Sequence, residues 1–269
     1  MDDDGQRRRL RTGFDETAEA YERSRPVCPP QLFDDLMDAG SLSPGDRVVE
    51  IGCGTGQASV PMAQRGLAVT AVELGADLAA LARRRLAPFS SAAVVTSAFE
   101  DFEPAEAAPF AAVAAFNCLH WIDPHLRYAK PAALLPPGGL LAVGTCHWAR
   151  PADADSFWFE VPDDYRAVGG EGGQMLTPEA IGPWHLPPEA EEHFYEVVAA
   201  RYPFARTYRP EDYLANLASQ SGIRSLGADR SAELLERVHH RLQARGGHPI
   251  TATFVGQLTL GRRKADLRR

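Results

Sequence analysis

Three glycines at alternate positions, Gly52, Gly54 and Gly56, follow an acid, Glu50, in the stretch VVEIGCGTGQ over residues 48–57. Glycine adopts positive φ without a Cβ penalty, so a ligand can come close to the backbone there. Val48 and Val49 lead into Glu50, and residues 58–64 are helix-compatible. The pattern predicts a strand, a Gly-rich turn and a helix whose first-turn N–H groups lack intrahelical partners. That arrangement suits a nucleotide-sized ligand lying against backbone. The charge of Glu50 narrows the choice, since a carboxylate suits a cationic ligand and repels a pyrophosphate. The dinucleotide fingerprint GxGxxG requires a third Gly where this chain has Gln57. An ordinary Gly-rich turn between strand and helix is the plain alternative.

Two further positions carry chemistry. Glu73 ends an apolar run at 68–72, about 20 residues beyond the glycines, where an acid in a doubly wound fold accepts hydrogen bonds from ribose hydroxyls. Its plain alternative is a strand-end carboxylate in solvent. His120, with Trp121, follows a strand predicted over 109–116 and the residues Asn117, Cys118 and Leu119. The carboxyl ends of parallel strands face the crevice where ligands of open α/β sheets bind, and a histidine there can serve as a base near neutral pH. Equally, His120 can bond a neighbouring loop while Trp121 fills core.

The elements that must hold these groups follow from periodicity. Helical spacing of Phe14, Ala18 and Tyr21 predicts a short leading helix, and Leu32, Phe33, Leu36 and Met37 mark another over 31–39. Strands are expected at 68–72, 93–96, 109–116, 140–145, 194–205 and 251–260 in addition to the one before the glycines. Helices are expected at 78–86, 126–135 and around 210–218 and 231–244. Between the fifth and sixth strands, residues 147–191 hold Trp148, Trp158, Tyr165, Trp184 and His185 among many Pro and Gly residues, with a glycine-rich loop at 169–173. An aromatic insertion at that point predicts a cap over the crevice; alternatively its rings form a small core of their own. No internal repeat or low-complexity segment is present.

The acid-led GxGxG spacing resembles the (D/E)xGxGxG motif of class I S-adenosylmethionine (SAM)-dependent methyltransferases. Residues 14–29 resemble the FDxxAxxYxxxRPxYP pattern that opens many small-molecule members, with Cys28 in place of the second Tyr. Residues 135–139 match the LxPGG turn before the fifth strand. The resemblance implies an α/β fold with a Rossmann-like, doubly wound, seven-stranded sheet, mostly parallel with an antiparallel last strand, and a cap insertion after strand five. It implies a helical lid segment at 1–40, a SAM-binding core at 41–147, the cap at 148–192 and a C-terminal part of the core at 193–269.

SAM is then the expected cofactor, held by Glu50, Gly52, Cys53, Gly54, Thr55, Gly56, Gln57, Glu73 and Leu74. Ala98, Phe99 and Glu100 would lie around the adenine, with Asn117, Tyr21 and Arg25 as further contacts, although Phe99 suits core equally. The acceptor is expected beside His120, the candidate base or substrate contact, and Trp121, with Trp148, Trp158, Tyr165 and His185 from the cap. The position where amino-methylating enzymes of nucleic acids and proteins carry (D/N)PP(Y/F) reads NCLHW here. The His-Trp pair is similar to that in trans-aconitate methyltransferase-like enzymes.

Composition bounds the remainder. The chain has 269 residues, 45 % of them hydrophobic, and no apolar run approaches the roughly 18 residues of a membrane span. A formal net charge of −8 disfavours nucleic acid, which needs a basic footprint. Cys28, Cys53, Cys118 and Cys146 show no metal-ligand spacing, so no metal is expected. The charged start lacks an apolar signal core, which predicts a cytoplasmic protein. The expected function is methyl transfer from SAM to a small-molecule acceptor, by O- or N-methylation. The rivals are a SAM-binding protein without turnover and a nicotinamide-dependent oxidoreductase.

Overall fold

The computed structural model describes residues 26–105, 109–170, 172–173 and 175–265. The leading helix expected at 14–21, with Tyr21 and Arg25, lies outside them. The first described helix, α1 (Pro30–Gly40), starts with Pro at its first turn, buries Leu32, Phe33 and Leu36, and stops at the left-handed Ser41, where the Ser41 N–H donates to the Asp38 carbonyl and the Leu42 N–H to the Met37 carbonyl. There follow β1 (Arg47–Ile51), α2 (Ser59–Gln64), β2 (Ala68–Glu73), α3 (Ala76–Leu86), β3 (Ala93–Thr96), β4 (Ala112–Phe116), α4 (Ala129–Leu134) and β5 (Leu140–Ala149). After the insertion helix α5 (Ser156–Ala167) come β6 (Phe194–Tyr208), α6 (Pro210–Ala218), α7 (Ser221–Arg224), α8 (Ala228–Ala244) and β7 (Ile250–Arg263).

The strands form one seven-stranded sheet in the order β3-β2-β1-β4-β5-β7-β6, parallel from β3 to β5 and antiparallel at its last strands. This is the doubly wound, Rossmann-like sheet the sequence predicts. The register sets Glu50 between Ala71 of β2 and Ala114 of β4, so the acid sits mid-sheet with small neighbours. Strand alternation sorts the core into two clusters. Val48, Ala112, Ala114 and Ala142 join Leu32, Phe33 and Met62 on one side. Val49, Ile51, Val113 and Val143 join Phe99, Phe102 and Phe110 on the other. Central strands buried on both sides read as continuous apolar runs, and that is why they were legible.

Some boundaries differ from expectation. β5 continues four residues past the predicted 145, to Ala149. β4 begins at Ala112, not 109, and α4 spans only Ala129–Leu134. The Pro-rich insertion contains a regular helix, α5, despite Pro162 in its interior; Asp155 caps it by accepting the Phe157 N–H at 3.1 Å. No helix among the described residues is long and apolar enough to cross a membrane.

The chain divides into two compact units. One takes in His147–Gly182 and Pro203–Val255, and the other Val27–Cys146, Pro183–Tyr202 and the chain from Gly256 onward.

Candidate active site

The Gly-rich loop connects β1 to α2 in the second of these units. Gly52, Gly54 and Gly56 all have positive φ, at 58°, 57° and 84°. At Gly52 a side chain is excluded twice, by φ and by space: a Cβ there would lie 2.9 Å from the Cβ of Cys118. Cys118 itself is fixed by its Sγ, which donates to the Ile51 carbonyl at 2.8 Å. The loop is held from β2 as well, through the Cys53 N–H to the Val72 carbonyl at 3.0 Å, and from α3, where Arg85 reaches the Thr55 carbonyl at 3.1 Å.

Both acids of the sequence pattern converge on this loop. Glu73, 8 % exposed at the end of β2, accepts the Gly54 N–H on Oε2 at 2.8 Å and the Gly75 N–H on Oε1 at 2.9 Å. Glu50 is fully buried and accepts a short hydrogen bond from Ser59 Oγ at the start of α2. Burial pushes its carboxyl up to about 8; the Ser59 hydroxyl opposes that rise and Glu73 adds to it. Thr55 Oγ1 and Gln57 Nε2 are buried without a partner among the described residues. Buried polar atoms are seldom left unpaired, so the loop presents a donor and an acceptor awaiting a ligand. Leu74 lies half-buried just beyond Glu73.

The turn after β3 is tied to the same unit. Ala98 is half-buried, while Phe99 is 1 % exposed and packs with Phe102 in the core, ring centroids 6.5 Å apart. Glu100 accepts the Asp123 N–H at 3.3 Å, and Lys130 Nζ donates to the Glu100 carbonyl at 2.7 Å. Beyond β4, Asn117 adopts φ 55°, which lets its Oδ1 accept the Cys146 N–H at 2.8 Å and clamp β4 to β5. One pair further back, Phe116 lies flat over Gly144, where an added Cβ would meet the ring at 2.1 Å.

His120 and Trp121 form a short helical turn with ring centroids 4.6 Å apart. Arg127 anchors that turn by donating to the His120 and Ile122 carbonyls, each at 3.0 Å. Although His120 is an exposed residue, desolvation by the protein around it lowers its pKa, and the Arg127 charge lowers it further. The neutral imidazole, the form able to accept a proton, therefore prevails at pH 7. His185 in the same unit is bound by Nδ1 to Glu196 Oε1 at 2.8 Å, and Glu196 also accepts the Leu186 N–H.

Trp148, Trp158 and Tyr165 lie in the other unit. The indoles of Trp148 and Trp158 pack edge-on against the buried Tyr213, at 5.8 and 6.1 Å, and Phe157 adds a third ring at 5.7 Å. Tyr165 has its phenol pushed up to about 12 by burial and by Asp164. Ser59, Arg85, Cys118 and Lys130 are supports that sequence reasoning missed. Ser59, nine residues after Glu50 at the second position of the predicted helix, left the only local signal.

A family model described as a methyltransferase domain matches residues 21–201. An uncharacterized methyltransferase of Mycobacterium tuberculosis is 33 % identical over 137 residues, which is 51 % of this chain and 53 % of that protein. A ubiquinone biosynthesis O-methyltransferase of Xylella fastidiosa is 38 % identical over 120 residues, covering 43 % and 48 % of the two chains. The chain thus spans about half the length of the curated relatives it matches. A solved structure described as a type II methyltransferase from Anaeromyxobacter dehalogenans shares the fold with a TM-score of 0.60 at 23 % identity, over 88 % of this chain and 97 % of that one.

Proposed function

Since the chain belongs to the methyltransferase-domain family, class I and SAM-dependent, we propose that it transfers the methyl group of SAM to a small-molecule acceptor. The observation that carries this reading is the Gly loop itself, where three glycines at positive φ lie beside an anchored Glu73 and, among the described residues, the unpartnered Thr55 Oγ1 and Gln57 Nε2. These residues fit SAM. Glu73 binds the ribose hydroxyls, the loop glycines receive the amino-acid portion, and Ala98 and the backbone beside it border the adenine. When bound, SAM supplies a methyl carbon on a sulfonium, open to in-line displacement.

The chain's own residues then have two tasks. His120 and Trp121 orient the acceptor at the end of β4, and orientation alone can contribute on the order of several kcal/mol to such a displacement. His120 also accepts the proton of a hydroxyl or phenol acceptor, for which its lowered pKa keeps it unprotonated at neutral pH. A carboxylate acceptor needs no base, and His120 then serves as a contact.

The test is calorimetry with SAM, S-adenosylhomocysteine and NADH, followed by a screen of small hydroxyl, amine and carboxylate acceptors for S-adenosylhomocysteine release. Preference for NADH refutes the assignment. For a hydroxyl acceptor, His120→Ala should lower kcat by about 100-fold or more with SAM affinity unchanged.

A further inference from the structure

Glu50 is a buried acid that has no cationic partner among the described residues. It is 1 % exposed, and its hydrogen-bond donor is the Ser59 hydroxyl of α2. The titratable groups that face it are themselves acids. Glu73 approaches from the end of β2, Cys28 from the segment before α1, and Cys53 from the loop, with Cys118 of the β4 end beside Cys53. Burial pushes the Cys28 thiol up to about 12 and the Cys53 thiol up as well, so both are neutral near pH 7. Among the described residues, no Lys, Arg or His forms an ion pair with Glu50. A negative charge on Glu50 is therefore opposed by desolvation and by Glu73, and in the ligand-free protein the carboxyl is mostly protonated at neutral pH.

A cationic ligand on the adjoining loop changes that balance, because it brings a positive charge where the described residues place none beside Glu50. Resting on the reading of this loop as the SAM site, we propose that Glu50 is a proton-linked specificity determinant: binding of SAM ionises it, and the loop therefore favours SAM over S-adenosylhomocysteine as the pH rises. The step balances simply. The Glu50 O–H bond breaks, its electron pair stays on the carboxylate, and the proton leaves to solvent. Once the methyl group has been transferred the ligand's sulfur is neutral, the carboxylate faces less positive charge, and Glu50 takes a proton back. The residue thus distinguishes donor from product by charge, where shape differs by one methyl group.

Calorimetric titration of the full chain with SAM and with S-adenosylhomocysteine, between pH 6.5 and 9 in buffers of contrasting ionisation enthalpy, counts the protons released. The wild-type chain should release close to one proton per SAM near pH 7 and almost none above about pH 9, with SAM affinity rising by up to about tenfold per pH unit below pH 8. Release on S-adenosylhomocysteine should be smaller. Glu50→Gln should abolish the Glu50 contribution; the ligand's own amino group titrates in this range for both proteins and drops out of their difference. Ser59→Ala keeps the acid but removes its donor, and should move the release profile to higher pH even if the Gln variant folds poorly. Equal proton release by wild type and Glu50→Gln, or a profile unmoved by Ser59→Ala, overturns the proposal. Equal release with both ligands overturns the discrimination. Absence of SAM binding by the wild type refutes the reading of the loop itself, a separate outcome.

Discussion

The Gly loop and the α5–α8 helix pair, one in each unit, treat their carboxylates in opposite ways. Between the two helices, each of three acids has an arginine. Arg241 holds the buried Asp164 with two hydrogen bonds, at 2.7 and 3.0 Å, and reaches Glu160 as well, while Arg245 pairs with Asp155. At the Gly loop, Glu50 is more deeply buried than any of them and has a hydroxyl as its donor, and Glu73 is satisfied by backbone N–H groups. A carboxylate matched by arginine is finished as structure. A buried acid with no arginine among the described residues, as Glu50 is, can answer to a ligand instead.

Four measurements can break or sharpen this contrast. The largest effect belongs to Glu50. Its folded pKa is raised, so the folded state holds a proton that the unfolded state gives up near pH 4.5, and ionisation of this group costs stability progressively between about pH 4.5 and 8. Chemical denaturation should show Glu50→Gln gaining on the wild type over that window by about 5 kcal/mol, levelling off above it. A flat difference would mean that an unrecognised cation already serves Glu50.

Next is Arg241→Ala, which strands Asp164 in the interior and should lower stability by about 3 kcal/mol in urea unfolding at pH 7. Glu73→Ala should weaken SAM binding by about 2 kcal/mol, read by calorimetry, with a smaller change in melting temperature. If stability falls more than affinity, Glu73 is a strut of the loop and the contrast between the two regions fails. Smallest is Arg245→Ala. Asp155 is half exposed, at 46 %, so this pair is screened by water and its loss should cost about 1 kcal/mol or less.

The sheet and the loop were readable because their signals are local. Runs rich in β-branched residues at 68–72 and 93–96 read as strands, and three alternating glycines after an acid constrain backbone and charge together. Glu73 was readable by its distance along the chain. The supports were not, since they act across long separations: Cys118 fixes Ile51 from 67 residues away, Lys130 holds Glu100 from 30, and Arg241 meets Asp164 across 77. The helix α5 was hidden by Pro162, which breaks the helical reading although the capped start at Asp155 and the apolar Phe157, Trp158 and Val161 sustain it. The aromatic residues of the insertion were legible as a group, but whether rings face a ligand or one another depends on packing, and Trp148 and Trp158 turn to Tyr213.

The last strand in the sheet order, β6, has consequences for handling the protein in concentrated solution. Among the described residues its sheet neighbour is β7 alone, so its other rim offers a template for strand addition. Protection against aggregation is uneven along its 15 residues. In the second half Pro203 supplies no N–H, and Arg201 and Arg206 repel a like strand. In the first half Tyr195 and Val197 are 51 % and 43 % exposed, with Glu196 the one charged residue between them. Self-association, where crowding forces it, should therefore begin in the first half of β6, and a lysine in place of Val197 is the substitution that would best keep copies of the chain apart.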